Sequence, residues 1–234
     1  LKKYPHCTAQ DASFREYGFG ATLVKIGYRR RLVMEVKHLI FDFGKVLVDY
    51  DFLRVIRSYF NDEAKMEAFC GIVLSDDFMN RCDKENVPME QIVQEEKRKY
   101  PQYATQFQLF YDRFEDFILG EMPGMYALLL QLKERGYNLY GLTNWSSKVY
   151  GVMRKYDIFS LLDGWVISSE EHLIKPDVAI YHRLCEKFNL LPEECLFTDD
   201  KQVNIDGAVR AGMQAVLFTD ARTFAEYLKQ NAIL

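Results

Sequence analysis

Four short segments of this 234-residue chain place reactive or charged side chains after apolar runs. Asp42 follows "HLIF", the pair Thr143–Asn144 follows "NLYGL", and the pair Asp199–Asp200 follows "CLFT". Lys175 stands in "HLIKPD", a few residues after a fourth apolar run, "GWVIS". Short runs with almost no charge are typical of buried strands, so these side chains are expected at strand ends or in the loops that follow.

These side-chain types suit phosphoryl transfer. Carboxylates held close together repel each other unless a cation neutralises them, and Mg²⁺ prefers carboxylate and carbonyl oxygens. A carboxylate can also act as a nucleophile and form an acyl phosphate. A lysine and a hydroxyl can hold the equatorial oxygens of a transferring phosphoryl group. Each residue alone fits a helix cap, a turn or a solvated charge, so the indication of a site lies in their combination.

One parallel sheet would bring these residues together. The four runs, and a fifth over residues 215–218, are short and apolar, as expected of parallel strands buried on both faces. Helical segments alternate with them, and one of these, "SSKVYGVMRKYDI", is predicted to begin with a serine cap. The alternation predicts an α/β fold, a parallel sheet with helices on both faces. In such sheets, ligands bind beyond the carboxyl ends of the strands.

A helical insertion interrupts the alternation. Residues 52–119 show helical periodicity and no strand-like run, which predicts an inserted all-helical cap. The catalytic core is then expected over residues 34–51 and 120–234. Within the cap, the stretch 75–86 is predicted to be an inter-helix loop that reaches the substrate pocket. Its candidate contacts are Phe78, Arg81 and Lys84.

The first 33 residues show neither a helical nor a strand period, and they begin with Leu1. They are predicted to be an N-terminal extension of uncertain structure, with the folded domain beginning near Met34. A mis-assigned start, a tag-like extension or a loose arm would each explain this stretch. A further packed element is the open alternative.

The four segments, in this order, resemble the four motifs of the haloacid dehalogenase (HAD) superfamily. The family's first motif is an apolar strand followed by D-x-D-G-T/V, similar to "LIFDFGKVL". Its second is an apolar strand that ends in Thr or Ser, often followed by Asn, similar to "LYGLTN". The third is a Lys before a Pro, similar to "IKPDVAIY", and the fourth is an acidic pair, similar to "LFTDDKQVNIDGA". The resemblance covers about residues 37–225 and implies a Rossmann-like fold with a helical cap after the first motif.

The resemblance also implies roles for individual residues. It implies that Asp42 is the nucleophile of a magnesium-dependent phosphatase that acts on a small phosphate ester. The implied phosphate and substrate contacts are Thr143, Asn144 and Lys175, of which Thr143 and Lys175 would be catalytic. The implied magnesium ligands are Asp42, Gly44, Asp199 and Asp200. Asn204 would orient the site.

The sequence departs from the family's pattern at Gly44. Many phosphatases of the family have a second Asp there, which protonates the leaving group and then activates water. Loss of such a group costs about 10²- to 10⁴-fold in rate. Three explanations are open. Another acid could replace the missing one, from the cap or at Asp49 or Asp51, or the substrate could have a leaving group good enough to depart without a proton. The third is that the protein is not a phosphatase.

The departure also bears on the substrate. The motif resembles a DxGxV branch of the family that includes a glucose 1-phosphate phosphatase. A sugar 1-phosphate releases a more acidic hydroxyl than an ordinary alcohol, so we predict a preference for such esters. His172 stands where the family leads us to expect a glycine, and Lys45 and Trp145 follow site positions directly. His172 is a candidate proton donor, and the other two are candidate pocket residues.

Two other functions compete with the phosphatase. A haloacid dehalogenase also uses an Asp nucleophile but needs no metal, and the pair Asp199–Asp200 argues against it because these carboxylates would repel a carboxylate substrate. The second competitor is a binding or regulatory protein that lost its acid at Gly44. The presence of Asp42, Thr143 and Lys175 argues against that loss of function.

The overall composition narrows the partners. A net charge of −4 does not favour a nucleic-acid partner. No apolar run approaches the roughly 20 residues of a transmembrane helix. The five cysteines form no CxxC pair, which favours reduced thiols and a cytoplasmic protein. The sequence does not reveal the oligomeric state.

Overall fold

The computed structural model describes residues 7–11, 22–26 and 35–234. The chain divides into two units, Leu1–Glu35 and Val36–Leu234. In the first unit, strand β1 (Cys7–Asp11) pairs antiparallel with strand β2 (Thr22–Ile26). The sequence pattern predicts no strand there. The other residues of the predicted extension lie outside the described ones.

The second unit is built around a five-stranded parallel sheet with the order β7-β6-β3-β8-β9. Its strands are β3 (His38–Phe41), β6 (Asn138–Thr143), β7 (Gly164–Ile167), β8 (Cys195–Asp199) and β9 (Gln214–Leu217). All five coincide with the predicted apolar runs to within one residue at each end. In the central strand, Phe41 lies opposite Gly141 on one side and Thr198 on the other. The carboxyl ends of β3, β6 and β8 therefore meet at one edge of the sheet, where the strand order switches.

Helices cover both faces of this sheet. The α-helices of the described residues are α1 (Phe52–Arg57), α2 (Glu63–Val73), α3 (Asp76–Lys84), α4 (Met89–Lys99), α5 (Ala104–Asp112), α6 (Met125–Glu134), α7 (Val149–Lys155), α8 (Ser168–Glu171), α9 (Val178–Phe188), α10 (Gln202–Arg210) and α11 (Ala221–Gln230). Because side chains alternate along a strand, Phe41 packs in one apolar cluster with Phe224 of α11, and Ile40 packs in a second cluster with Ile180 of α9. The predicted α/β fold with a Rossmann-like sheet is confirmed.

A two-stranded antiparallel ribbon connects the sheet to the helices that interrupt it. The ribbon consists of β4 (Val48–Tyr50) and β5 (Ile118–Glu121). Helices α1 to α5 lie between these two strands in sequence, and we call residues 52–117 the helical block. Its interior is aromatic: Phe69 and Phe107 are fully buried with their ring centroids 5.0 Å apart.

Two local predictions are wrong. The stretch 75–86 is not a loop, because α3 occupies most of it. The Ser75 hydroxyl accepts a hydrogen bond from the Phe78 backbone N–H, and two aspartates follow in the first turn, which is a pattern that starts a helix. Helix α7 also lacks the predicted serine cap, because the Ser147 hydroxyl donates to Glu85 instead.

Two further observations concern membrane crossing and the cysteines. Among the described residues, no helix has both the length and the apolar character that a bilayer crossing requires. Cys70, Cys82, Cys185 and Cys195 are free thiols.

Candidate active site

A cavity of about 470 Å³ opens at the carboxyl ends of β3, β6 and β8. Most of the predicted site residues line it: Asp42, Gly44, Thr143, Asn144, Lys175 and Asp200. The remaining one, Asp199, is fully buried and contacts Lys175. The strand ends therefore bring together the side chains that the sequence pattern selects.

The ammonium group of Lys175 is the centre of this arrangement. It is buried and donates to the Leu142 carbonyl at 3.0 Å and to the Asp199 carboxylate at 2.6 Å, and it forms an ion pair with Asp42 at 2.9 Å. Burial alone would lower the pKa of Lys175, but the two carboxylates outweigh burial and raise this pKa well above its ordinary value. The side chain is therefore a fixed cation between two strand ends.

Asp199 anchors that cation. Besides Lys175, its carboxylate accepts hydrogen bonds from the Lys201 backbone N–H at 2.9 Å and from the Asn204 amide at 2.9 and 3.0 Å. Burial would raise the pKa of Asp199, but Lys175 and these donors hold the pKa below its ordinary range. Asp199 is thus a permanent carboxylate, and Asn204 orients it, in agreement with the role that the sequence implies for Asn204.

Asp42 is held less strongly in its charged form. Burial, with help from Asp199, raises the pKa of Asp42 to about 6, while the nearby Lys175 works in the opposite direction. At neutral pH the carboxyl is still mostly ionised. Its backbone N–H donates to the Thr198 carbonyl at 3.0 Å, which ties the residue to the adjacent strand end.

The third carboxylate completes an acidic cluster. Oxygen atoms of Asp42, Asp199 and Asp200 lie within 4.8 Å of one another. Burial and the charge of Asp199 raise the pKa of Asp200. Three carboxylates so close together, with Gly44 beside them on the cavity wall, form a donor set that suits a hard divalent cation.

Asn144 lines the cavity, where the substrate contact is predicted, and it also holds the loop that carries Lys175. Its amide group donates to the Lys175 carbonyl at 3.0 Å and accepts from the Lys175 N–H at 2.8 Å. Both ends of the amide thereby fix the backbone that carries the cation. Thr143, which ends β6, lines the cavity directly.

The neighbourhood of Gly44 explains why no acid is found there. A Cβ atom on Gly44 would lie 2.9 Å from Cε1 of Tyr50, so the aromatic ring occupies the space that a side chain at position 44 would need. Burial, together with Asp200 and Asp42, raises the pKa of Tyr50 far above its ordinary value. The ring therefore fills the position without supplying a readily ionised group.

The two acids suggested from sequence as replacements are occupied elsewhere. Asp49 forms an ion pair with Lys45 at 2.5 Å, and the Asp51 carboxylate accepts from the Arg54 N–H and caps α1. Neither is among the residues that line the cavity.

Another acid does line the cavity, from the helical block. Asp83 of α3 faces it, and its carboxylate makes no hydrogen bond or ion pair within the described residues. Burial, opposed by Lys201 and assisted by Asp42, raises the pKa of Asp83 to about 7.

The remaining candidates have structural contacts. His172 adopts a left-handed backbone with φ of 56°, which is why a glycine is expected there, and its Nδ1 donates to the Lys84 carbonyl at 2.9 Å. Trp145 lines the cavity, whereas Lys45 does not. Of the three residues predicted in the stretch 75–86, Phe78 is buried and Arg81 pairs with Glu95 and Glu96. Their neighbours on α3 line the cavity instead.

Comparison with protein families identifies most of the second unit. A model of haloacid dehalogenase-like hydrolases matches residues 36–212. The chain belongs to this family. The match spans the helical block and every cavity residue named above.

Individual HAD-like relatives are more distant. A sesquiterpene phosphatase of Aspergillus oryzae is 30% identical over 107 residues, which are 45% of this chain and 55% of the relative. The chain spans about half the length of the curated relatives it matches.

Solved HAD structures share the fold. The crystal structure of a HAD family enzyme from Bacteroides thetaiotaomicron, in complex with magnesium and inorganic phosphate, matches with a TM-score of 0.63 and 20% identity, over 79% of this chain and 95% of that one. The structure of an L-2-haloacid dehalogenase matches with a TM-score of 0.65 and 14% identity, over 83% of this chain and 99% of that one. At such identities the likeness concerns the fold.

Several cavity residues of this HAD-like chain are not predicted from sequence, and two of them bear on the chemistry of the site. One is Asp83, whose approach to the strand ends depends on how the helical block packs. The other is Ser146, whose buried hydroxyl lines the cavity and has no hydrogen-bond partner among the described residues. The proximity of Ser146 to the second motif was the one available signal.

Proposed function

We propose that this HAD-like hydrolase is a magnesium-dependent phosphatase that forms an aspartyl phosphate on Asp42. The observation that carries the proposal is the acidic cluster beside Lys175 at the floor of the cavity. A nucleophilic carboxylate, a fixed cation and a place for a divalent ion lie at one strand edge, as phosphoryl transfer requires.

The proposed reaction has two steps. An oxygen of the Asp42 carboxylate attacks the phosphorus of the ester, and the bond between phosphorus and the leaving oxygen breaks. Water then attacks the phosphorus of the aspartyl phosphate, which releases inorganic phosphate and restores Asp42. The Lys175 ammonium and the Thr143 hydroxyl hold the equatorial oxygens in both steps. Magnesium, when bound, neutralises charge between the carboxylates and the phosphoryl group.

The proposed metal ligands divide into two groups. Asp42, Asp200 and the Gly44 carbonyl belong to residues that line the cavity, so a cation between them could also contact a phosphate. Asp199 stays in the predicted ligand set, but its four hydrogen bonds favour a second task, which is to hold Lys175.

We also propose that the helical block is a cap, with boundaries near the predicted residues 52–119. The end of α3 is attached to the sheet side of the molecule: the Ser168 hydroxyl donates to the Asp83 carbonyl at 2.6 Å, and the Ser147 N–H donates to the Glu85 carboxylate at 2.6 Å. A block held over the strand ends in this way would exclude water from the phosphoryl group.

The cavity wall on the helical side favours an apolar leaving group. The residues that form it include Phe52, Leu74, Met79, Met89, Phe110 and Phe114. Three polar residues of the helical block, Asp76, Asn80 and Asp83, also line the cavity. The predicted sugar 1-phosphate is therefore one candidate, and the ester of a hydrophobic alcohol is the second. The name of the Aspergillus relative, a sesquiterpene phosphatase, is consistent with the second.

The dehalogenase alternative is less well supported by the same geometry. A haloacid substrate carries its own carboxylate, which would approach Asp42, Asp199 and Asp200 without a metal to separate the charges. The fold likeness to an L-2-haloacid dehalogenase does not distinguish the two chemistries.

A phosphate-release assay tests the proposal. Wild type, Asp42→Asn and the control Asp77→Asn would be assayed with p-nitrophenyl phosphate, glucose 1-phosphate and dodecyl phosphate, in Mg²⁺ and in EDTA. Asp77 is an exposed aspartate on α3 that does not line the cavity. We expect release that needs Mg²⁺ and Asp42 and does not need Asp77. Absence of release from all three esters would overturn the proposal. The relative rates with glucose 1-phosphate and dodecyl phosphate would decide between sugar and apolar substrates.

A further inference from the structure

Asp83 is a carboxylic acid on the helical wall of the cavity. It lines the same cavity as Asp42 but belongs to the helical block, so it faces the strand ends from the opposite side. It lies outside the acidic cluster of Asp42, Asp199 and Asp200. We propose that Asp83 is the general acid and base of the reaction, in place of the aspartate that Gly44 does not supply. The inference rests on the proposed phosphatase function.

Hydrogen bonds to Asp83 and to the two residues after it fix the position of Asp83. Its own carbonyl accepts from the Ser168 hydroxyl at 2.6 Å, and the next carbonyl, of Lys84, accepts from His172 at 2.9 Å. The following residue, Glu85, accepts from both the N–H and the hydroxyl of Ser147, at 2.6 and 2.9 Å. Two of these four hydrogen bonds fix the backbone at Asp83 and Lys84, and the other two hold the Glu85 side chain, while the Asp83 carboxylate itself is left free to exchange a proton.

The other acids near the cavity are less suitable. Asp49 and Asp51 are engaged in an ion pair and a helix cap. Asp76 also lines the cavity, but it is exposed to solvent at the first residue of α3. Tyr50 is close to the nucleophile, but its pKa lies too far above neutrality for it to restore its proton quickly.

The proton balance of the reaction is complete with Asp83 in this role. As Asp42 attacks phosphorus and the ester bond breaks, the protonated Asp83 gives its proton to the leaving oxygen, and an alcohol departs. The resulting Asp83 carboxylate then takes a proton from the water that attacks the aspartyl phosphate. Asp83 is protonated again at the end of the cycle, and the only products are the alcohol and inorganic phosphate.

The charges around Asp83 suit both halves of this cycle. Burial and the Asp42 carboxylate favour its protonated form, while Lys201 and Lys175 favour the carboxylate, and the result is a pKa of about 7. Tyr50 and Cys82, which also face it, are held neutral by pKa values raised above their ordinary ones. A catalytic acid that must later act as a base works best near the operating pH.

The test compares Asp83→Asn with the exposed control Asp77→Asn and with Asp83→Glu, using two aromatic esters of similar size. Benzyl phosphate has a poor leaving group and p-nitrophenyl phosphate a good one. For Asp83→Asn we expect kcat on benzyl phosphate to fall by about 10²- to 10⁴-fold, because the leaving oxygen needs the proton. With p-nitrophenyl phosphate we expect a burst of one p-nitrophenol per enzyme followed by slow turnover, because only the water attack still needs a base. Asp83→Glu should recover part of the loss.

The pH profile gives a readout that a structural role would not change. In the wild type, kcat on benzyl phosphate should fall above about pH 7 as Asp83 loses its proton, and Asp83→Asn should lack this decline. An Asp83→Asn variant that turns over benzyl phosphate like the wild type, with the same pH profile, would overturn the assignment of Asp83 alone. A wild type inactive on every ester would overturn the phosphatase proposal itself, and the assignment of Asp83 with it.

Discussion

The two walls of the cavity are built in opposite ways. On the sheet side, the side chains of Lys175 and Asp199 together take part in six polar contacts, to Leu142, Asp42, Lys201, Asn204 (twice) and each other. On the helical side, the wall is mostly aromatic and aliphatic, and the carboxylate of Asp83 has no polar partner within the described residues. The Lys175–Asp199 pair on the sheet side is fully hydrogen-bonded before any ligand arrives, whereas the Asp83 carboxylate on the helical side is left available.

This difference separates two tasks of a phosphatase. The charges that meet the phosphoryl group must be in place beforehand, because preorganised charges lower the barrier without reorganisation. The group that exchanges a proton must be free to change its charge, and a fully hydrogen-bonded carboxylate such as Asp199 cannot do so easily. The comparison can be tested at both walls.

The largest effect is expected from the proposed nucleophile, Asp42, on the sheet side. Asp42→Asn should reduce phosphate release by at least about 10⁴-fold, because an amide cannot form the aspartyl phosphate. Mass spectrometry of acid-quenched protein after incubation with p-nitrophenyl phosphate should show added phosphate on the wild type and none on the variant. Equal labelling of both proteins would place the nucleophile elsewhere.

The next effect concerns the stability of the same wall. Lys175→Met should lower the free energy of unfolding by about 3 to 5 kcal/mol, since it leaves the carboxylates of Asp42 and Asp199 buried without their cation. Urea denaturation without added metal would measure it. Lys65→Met, at an exposed lysine of α2, is the matched control and should be nearly neutral. A small change in the Lys175 variant would show that the sheet side does not depend on its fixed charge.

A smaller effect of opposite sign is expected at Asp83. Its pKa is raised from 3.8 to about 7 in the folded protein, so between these values the folded state binds more protons than the unfolded state and stability falls as pH rises. Asp83→Asn removes this loss. It should stabilise the protein by about 1 to 3 kcal/mol at pH 8 and have little effect at pH 4. Each pKa unit is worth about 1.4 kcal/mol, and the range is reduced because the side chain is partly exposed to solvent. Urea denaturation of the wild type, Asp83→Asn and the control Asp77→Asn would measure these changes at both pH values. If Asp83 had an ordinary pKa, the effect of Asp83→Asn on stability would be the same at pH 4 and pH 8.

The smallest effect is expected from a pair of glycine substitutions. Gly44→Ala should cost about 1 kcal/mol, because the new Cβ would lie 2.9 Å from the Tyr50 ring and the ring must shift. Gly71→Ala, in the last turn of α2, meets no atom within 4 Å and should stabilise the protein by about 0.5 to 1 kcal/mol. Thermal unfolding of both variants would measure the difference, and a neutral Gly44→Ala would mean that the ring does not restrict position 44.

The two walls also differ in how far the sequence predicts them. The strands could be located because they are buried on both faces and read as uncharged runs, and the residues at their ends follow directly. Thr143 and Asp42 therefore could be placed together without a structure. The task of Asn144 could not, because its hydrogen bonds to Lys175 join loops 31 residues apart in sequence.

The helical wall was harder to predict for a physical reason. The polar sequence of α3 resembles a loop unless its capping serine, Ser75, is recognised. A loop favours Phe78, Arg81 and Lys84 as pocket contacts, whereas the helix places Asp83 there. The nearness of Asp83 to the strand ends is a matter of tertiary packing. Tyr50, whose ring takes the space beside Gly44, is six residues away in sequence and gives no pattern signal.

The hydrogen bonds that attach the end of α3 to Ser147, Ser168 and His172 have a mechanical consequence. Any movement that opens this side of the cavity must break them and carry Asp83 away from Asp42. A phosphorylated enzyme in that open state would keep its phosphate, because the group that activates water would be out of reach. The rate of hydrolysis would then depend on closure of the helical block, and the hydrogen bonds that hold the block closed would set the rate of turnover.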